Sequence, residues 1–169
     1  MKLESSIPFF LRVDDRLIHG QVMVTWVRDL GVKTIYVVSD RVVEEPLEIM
    51  LLEAAVTQDI HLEVLSTEDA IAKLQQSTIS PVMVMVENLD HVLALAKRIT
   101  PLPEVNLGGI RYRPGKSLFH KAIYLDEHDH VCLDELEKLE VKITMQTVPS
   151  DRKVDVFEKR RKKGGRGWR

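Results

Sequence analysis

Arg12-Val13-Asp14-Asp15-Arg16-Leu17-Ile18-His19-Gly20-Gln21 stands between two largely apolar runs, Ile7 to Leu11 before it and Val22 to Val27 after it. The first run is short and ends in charge, as a strand does, and the second is where a helix is expected to begin. Four charged side chains and a histidine are thus placed at a strand-to-helix junction. In an open α/β sheet ligands bind at such junctions, because helix N-termini there present unpaired N–H groups and the positive end of a dipole.

The residue types in this stretch suit phosphoryl chemistry. The imidazole of His19 is nucleophilic near neutral pH and can carry a group covalently. Arg16, three residues earlier, offers a planar and permanently charged fork that matches phosphate oxygens. Asp14 or Asp15 can accept the other ring N–H of His19 and fix its tautomer. Gly20 lets backbone come close to an oxyanion. A lone histidine at a strand end is as often a surface or capping residue, and spacing alone leaves both readings open.

Outward from the junction, short β-branched runs alternate with helical stretches, the pattern of parallel βαβ units. Strands are predicted at Phe9–Val13, Thr34–Val38, His61–Leu65, Val82–Val86, Glu104–Leu107, Lys121–Leu125 and Lys142–Val148. Leu47, Met50, Leu51, Ala54 and Ala55 recur at helical spacing after Pro46, a residue suited to a first turn. Ser66 and Asp69 hold capping-box positions, Asn88 is placed to cap a helix over Leu89–Ile99, and a last helix is predicted at Leu133–Leu139. The fold expected is α/β: a single-domain open, mainly parallel β-sheet with helices on both faces.

The run Arg12 to Val22, RVDDRLIHGQV, resembles the phosphorylation-site signature of the IIB components of the mannose/fructose/sorbose class of bacterial sugar phosphotransferase systems (PTS). Ile35 to Asp40, Val105 to Gly109 and Ala122 to Asp126 resemble later blocks of the same family in the same order, so the likeness spans roughly Phe9 to Asp151. It implies that His19 takes a phosphoryl group from a IIA partner and passes it to a sugar entering through membrane IIC and IID subunits. Arg16, Asp14 and Asp15 map onto the motif's arginine and acidic positions. Arg12, Gly20 and Gln21 are expected to line the binding site, joined by Ser39 after the second strand, where a plain turn and N-cap is an equal alternative, and by Gly108 and Gly109 after the fifth, which a tight turn alone would also use. The resemblance implies no cofactor and no metal. It also implies a cytoplasmic location at the inner face of the plasma membrane through IIC and IID. The alternative is a regulatory module of the same fold that senses phosphorylation. A hydrolase with His19 as general base is disfavoured, since no G-x-S-x-G elbow is present. The sugar itself is left open.

The remaining features exclude more than they assign. With 169 residues the chain fits one domain with a substantial core. A formal net charge of -2 gives no general affinity for nucleic acid. The single Cys132 rules out an internal disulfide and is expected to pack in the core. No apolar run reaches the ~18 residues of a membrane span, and the first eight residues do not make a signal peptide. Glu127-His128-Asp129-His130 crowds two imidazoles with two carboxylates but reads as an exposed polar loop rather than a metal cluster. Met83 and Met85, alternating with valines, read as a strand buried on both faces. Lys159 to Arg169 holds seven basic residues and no acid, so the domain is expected to end at residue 158 and 159–169 to form a disordered basic tail. No exposed apolar stripe is expected to mark an interface, and homo-oligomerisation is left open.

Overall fold

The computed structural model describes residues 9–76 and 81–164. In chain order these form β1 (Phe9–Asp14), a π-helical segment (Val22–Val27) running into α1 (Arg28–Leu30), β2 (Thr34–Val38), a 3-10 turn (Val42–Glu44) and α2 (Pro46–Ala55). Then come β3 (His61–Leu65), α3 (Thr67–Leu74), β4 (Val82–Val86), α4 (Leu89–Ala96) and β5 (Val105–Gly109). A hairpin of β6 (Ser117–His120) and β7 (Ile123–Leu125), α5 (Glu127–Lys138), β8 (Ile143–Met145), β9 (Val154–Asp155) and α6 (Val156–Lys162) complete the order. The main sheet has seven strands in the order β3-β2-β4-β1-β5-β8-β9, parallel throughout except for β9 at its edge.

Side-chain alternation divides the core in two, because successive residues of a strand point to opposite faces. Val82, Val84 and Val86 of β4 join Leu11, Val13, Tyr36 and Val38 beneath α3, α4 and α5. Met83 and Met85 join Ile35 and Val37 beneath the π-helical segment and α2, with Val22, Trp26 and Leu52. The strand Val82–Val86 is buried at every position, as its unbroken apolar run predicted. β1 lies between β4 and β5, at the centre of the sheet, so the charged stretch that follows it leaves from the middle of the carboxyl rim.

Several elements depart from expectation. α5 starts at Glu127 and not at Leu133. Asp126 accepts from Asp129 N at 2.9 Å and Asp129 accepts from Asp126 N at 3.0 Å, a reciprocal cap that winds Glu127 to His130 into the first helical turn. Gly108 and Gly109 belong to β5 itself rather than to a turn beyond it. The expected strand Lys142–Val148 shortens to β8, since Thr147 and Val148 turn to donate their N–H groups to Asp151. The division at residue 158 falls inside α6. Asp155 caps that helix, Val156 and Phe157 are buried, Arg160 pairs with Asp134 at 2.8 Å and Arg161 with Glu137 at 3.1 Å. Basic residues that look like a solvated tail are thus ordered by the acidic flank of α5. The rest of the tail, 165–169, lies outside the described residues. On α2, Leu52 points into the core while Leu47, Met50 and Leu51 are each more than 60% exposed, so an apolar stripe does stand open.

Candidate functional site

The site is built by a shift at the end of β1. β1 and β5 pair in register as far as Val13 with Leu107, then slip so that Asp14 faces Gly109. A slip of this kind re-aims the side chain that follows it. Asp15 N donates to Gly109 O at 3.1 Å, Leu17 N donates to Asp14 O at 2.9 Å, and Leu17 takes a left-handed φ of 55°. A left-handed leucine costs about 1–2 kcal/mol. Burial of its side chain to 2% exposure offsets that cost, since hiding a leucine stabilises by about 1.5–3 kcal/mol. The turn returns His19 over the end of β1. Helical backbone begins at Gly20, where Met23 N closes the first turn onto His19 O at 3.2 Å.

Asp14 is the hub. Its carboxylate is fully buried and receives His19 Nε2 at 3.0 Å and Arg12 Nη2 at 3.2 Å on Oδ2. Arg16 N, at 3.1 Å, and Arg16 Nε, at 3.5 Å, lie against Oδ1. Burial alone would raise this carboxyl. The hydrogen bond from His19, the charge of Arg12 and the N–H of Arg16 outweigh burial and hold it below the usual carboxylate range. Asp14 therefore stays ionised beneath an imidazole whose side chain is 18% exposed and beside an arginine that is 40% exposed. His19 and Arg16 share one carboxylate, which fixes their mutual position.

Arg12 differs from expectation. It is 1% exposed, and its guanidinium donates to Asn106 Oδ1 (2.6 Å), Gln146 O (3.1 Å), Asp14 Oδ2 (3.2 Å) and Thr147 O (3.2 Å), with its charge 5.1 Å above the Trp26 ring. A group held so deeply does not grip a ligand; it anchors Asp14 from below. Gly108 makes room for it, because a methyl group at 108 would overlap the Arg12 guanidinium. Trp26 joins the same assembly, donating Nε1–H to Thr147 O at 2.9 Å and stacking on Phe10. Asn106, Trp26 and Thr147 were not singled out by spacing. The one signal available was a charged residue, Arg12, inside an apolar strand, which requires buried partners.

The other expected residues divide. Asp15 turns away from His19 and accepts Arg111 N (3.1 Å) and Nε (3.2 Å), tying the loop to the chain after β5. Of the two acidic candidates, Asp14 alone meets the imidazole. Ser39 is fully buried, donates to Glu87 Oε2 at 2.6 Å and accepts Val42 N at 3.2 Å, so it caps the 3-10 turn rather than lining the site. Gly109 stands an ordinary 3.6 Å from Asp14 Oδ1, measured from the position a Cβ would take. Gly20 and Gln21 are exposed beside His19, with open space around Gly20. Cys132 is buried, as expected. Burial, with the Asp90 carboxylate, pushes its thiol up to about 12, which removes it as a nucleophile at neutral pH.

A family model described as the PTS sorbose-subfamily IIB component matches residues 9–165. The chain belongs to that family of IIB components. Among its relatives, the sorbose-specific EIIB component of Klebsiella pneumoniae is 33% identical over 150 residues, covering 88% of this chain and 92% of that protein. The crystal structure of the IIBSor domain of the sorbose permease from the same organism superposes with a TM-score of 0.84 at 32% identity, over 90% of this IIB chain and 95% of that one. The mannose-specific EIIAB component of Escherichia coli is 29% identical, with 87% of this chain matching 46% of that longer protein. This IIB component is thus a phosphocarrier subunit of a sugar phosphotransferase system, with the α/β fold that its sequence predicted.

Proposed function

We propose that this IIB component carries its phosphoryl group on Nδ1 of His19, receives it from a phosphohistidine of a IIA partner, and delivers it to a sugar entering through IIC and IID. The observation that carries this reading is the bond from His19 Nε2 to the buried, ionised Asp14. With Nε2 holding its proton against Asp14, the Nδ1 lone pair is the nucleophile. It attacks phosphorus as the P–N bond to the donor imidazole breaks, and the bonding pair returns to the donor ring. The new phosphoimidazole keeps its Nε2–H on Asp14, whose charge balances the ring. Arg16 neutralises charge on the phosphoryl oxygens, so positioning and electrostatics do most of the work. The step balances without metal or cofactor. The 18% exposure of His19 suits a group that must meet two different partners in turn. No described helix is long and apolar enough to cross a membrane, so in this reading contact with the membrane comes through IIC and IID.

The test is phosphorylation by phosphoenolpyruvate, the general phosphotransferase proteins and a IIA protein, with mass spectrometry at alkaline pH and phosphorus NMR. One adduct on Nδ1 of His19, absent from His19→Ala, is expected. An adduct on Nε2 or on another histidine overturns the assignment, and a phosphorylated protein that passes nothing to sugar in vesicles holding IIC and IID favours the regulatory reading.

A further inference from the structure

Away from His19, two exposed side chains and one buried one, from two helices, converge. Asp90 is the second residue of α4, and His128 and Cys132 lie one turn apart on one face of α5. His128 Nε2 is 2.8 Å from Asp90 Oδ1, Cys132 Sγ is 3.5 Å from Asp90 Oδ1, and Cys132 Sγ is 3.7 Å from His128 Nε2. Among the described residues this is the one group of three Cys, His, Asp or Glu side chains whose ligand atoms converge in this way. We infer that Asp90, His128 and Cys132 form a binding site for a zinc-class divalent cation that joins α4 to α5.

The geometry is specific. A tetrahedral cation with donors at about 2.0–2.3 Å separates those donors by about 3.3–3.6 Å. Of the two edges that involve sulfur, the one to Asp90 falls in that range and the one to His128 lies about 0.1 Å beyond it. The third, between His128 and Asp90, is shorter because those groups share a proton, and it opens by about half an ångström when a cation replaces that proton. Cys132 is fixed in the core, while His128 is 66% and Asp90 55% exposed, so the two outer ligands can make this adjustment. Sulfur, imidazole and carboxylate together select zinc over magnesium or calcium, which favour all-oxygen sites. Binding releases the thiol proton to solvent and leaves a thiolate on the metal, while the proton displaced from His128 Nε2 goes to Nδ1 of the same ring or, if that nitrogen already carries one, to solvent. The fourth position faces outward and is filled by water. Because the ligands belong to separate helices, occupancy stabilises their packing without touching Asp14 or His19.

Cobalt(II) titrated into the full chain under reducing conditions tests the site. The expected result is one equivalent bound, with a thiolate-to-cobalt charge-transfer band, ligand-field bands of tetrahedral intensity and displacement by zinc. Cys132→Ser abolishes the charge-transfer band, and Asp90→Asn and His128→Ala each weaken binding at least tenfold. His128→Ala is decisive because its position is exposed and the fold does not depend on it. Absence of the charge-transfer band, or full cobalt affinity in His128→Ala, overturns the site and leaves a surface ion pair above a buried thiol.

Discussion

Gly108→Ala adds a single methyl group to the middle of the sheet and tests the architecture beneath His19. The added carbon would overlap the guanidinium carbon and both terminal nitrogens of Arg12. An arginine tip can usually move aside, but this one is 1% exposed and held by four acceptors. Accommodating the methyl group therefore means breaking the buried pair with Asp14 or displacing β5. Breaking a buried ion pair costs about 3–5 kcal/mol, equivalent to roughly 6–20 °C in Tm for a chain of this size. Gly109→Ala is the control, since its Cβ would stand 3.6 Å from Asp14, an ordinary contact. Thermal melts of both variants, with single-turnover transfer from phosphorylated IIA, are the assay. Gly108→Ala should also transfer about 10- to 100-fold more slowly, because Asp14 no longer holds the imidazole in place. In an Arg12→Met background the methyl group has room, and a double-mutant cycle should show coupling of about 2 kcal/mol. Equal melting temperatures for Gly108→Ala and Gly109→Ala, or strict additivity with Arg12→Met, would refute the reasoning.

Other expectations follow from the same structure. Arg16→Lys keeps the charge and loses the fork, so single-turnover transfer should fall about 30- to 1000-fold with an unchanged melting curve, the cost of a charge-assisted contact made in the transition state; transfer at the wild-type rate would reduce Arg16 to diffuse charge. Phe157→Ala should lower stability by about 3 kcal/mol in urea denaturation, because this residue anchors α6 in the core; a change near zero would return the basic segment to the status of a solvated tail. Glu104 is tied to Thr144, Lys153 and Lys142. Burial works against its ionisation, but these contacts prevail and bring its carboxyl down from 4.5 to about 2. A depressed carboxyl contributes stability that is full above its unfolded value and is lost as pH falls toward the folded one, so denaturation midpoints should drop between about pH 5 and pH 2. Glu104→Gln should flatten that limb, and an identical acid profile would show that other carboxylates govern it.

The sequence by itself determined the alternation of strands and helices, the parallel sheet, and the position of the histidine at a strand-to-helix junction. Those features are local. Apolar periodicity sets each element, and in a parallel sheet every strand sends its carboxyl end to the same rim. Three strands, Thr34–Val38, His61–Leu65 and Val82–Val86, keep their predicted bounds for that reason. What the sequence left open was which of two adjacent carboxylates meets His19. Alternation puts Asp14 and Asp15 on opposite sides, and only the slip of β1 against β5 decides which side the imidazole returns to. For Arg12 the sequence suggested a place in the lining of the site, and for Ser39 it left the rim and a turn cap equally open; both side chains are buried. A charged or hydroxyl side chain reads as exposed until its partners are known, and three of the four acceptors of Arg12 lie 94 to 135 residues away. The same distance problem concealed α6, whose basic residues are solvated when read alone and ordered once α5 brings Asp134 and Glu137 beside them. Tertiary structure decided each of these points because burial and pairing are properties of contacts between segments, and no window along the chain contains both partners.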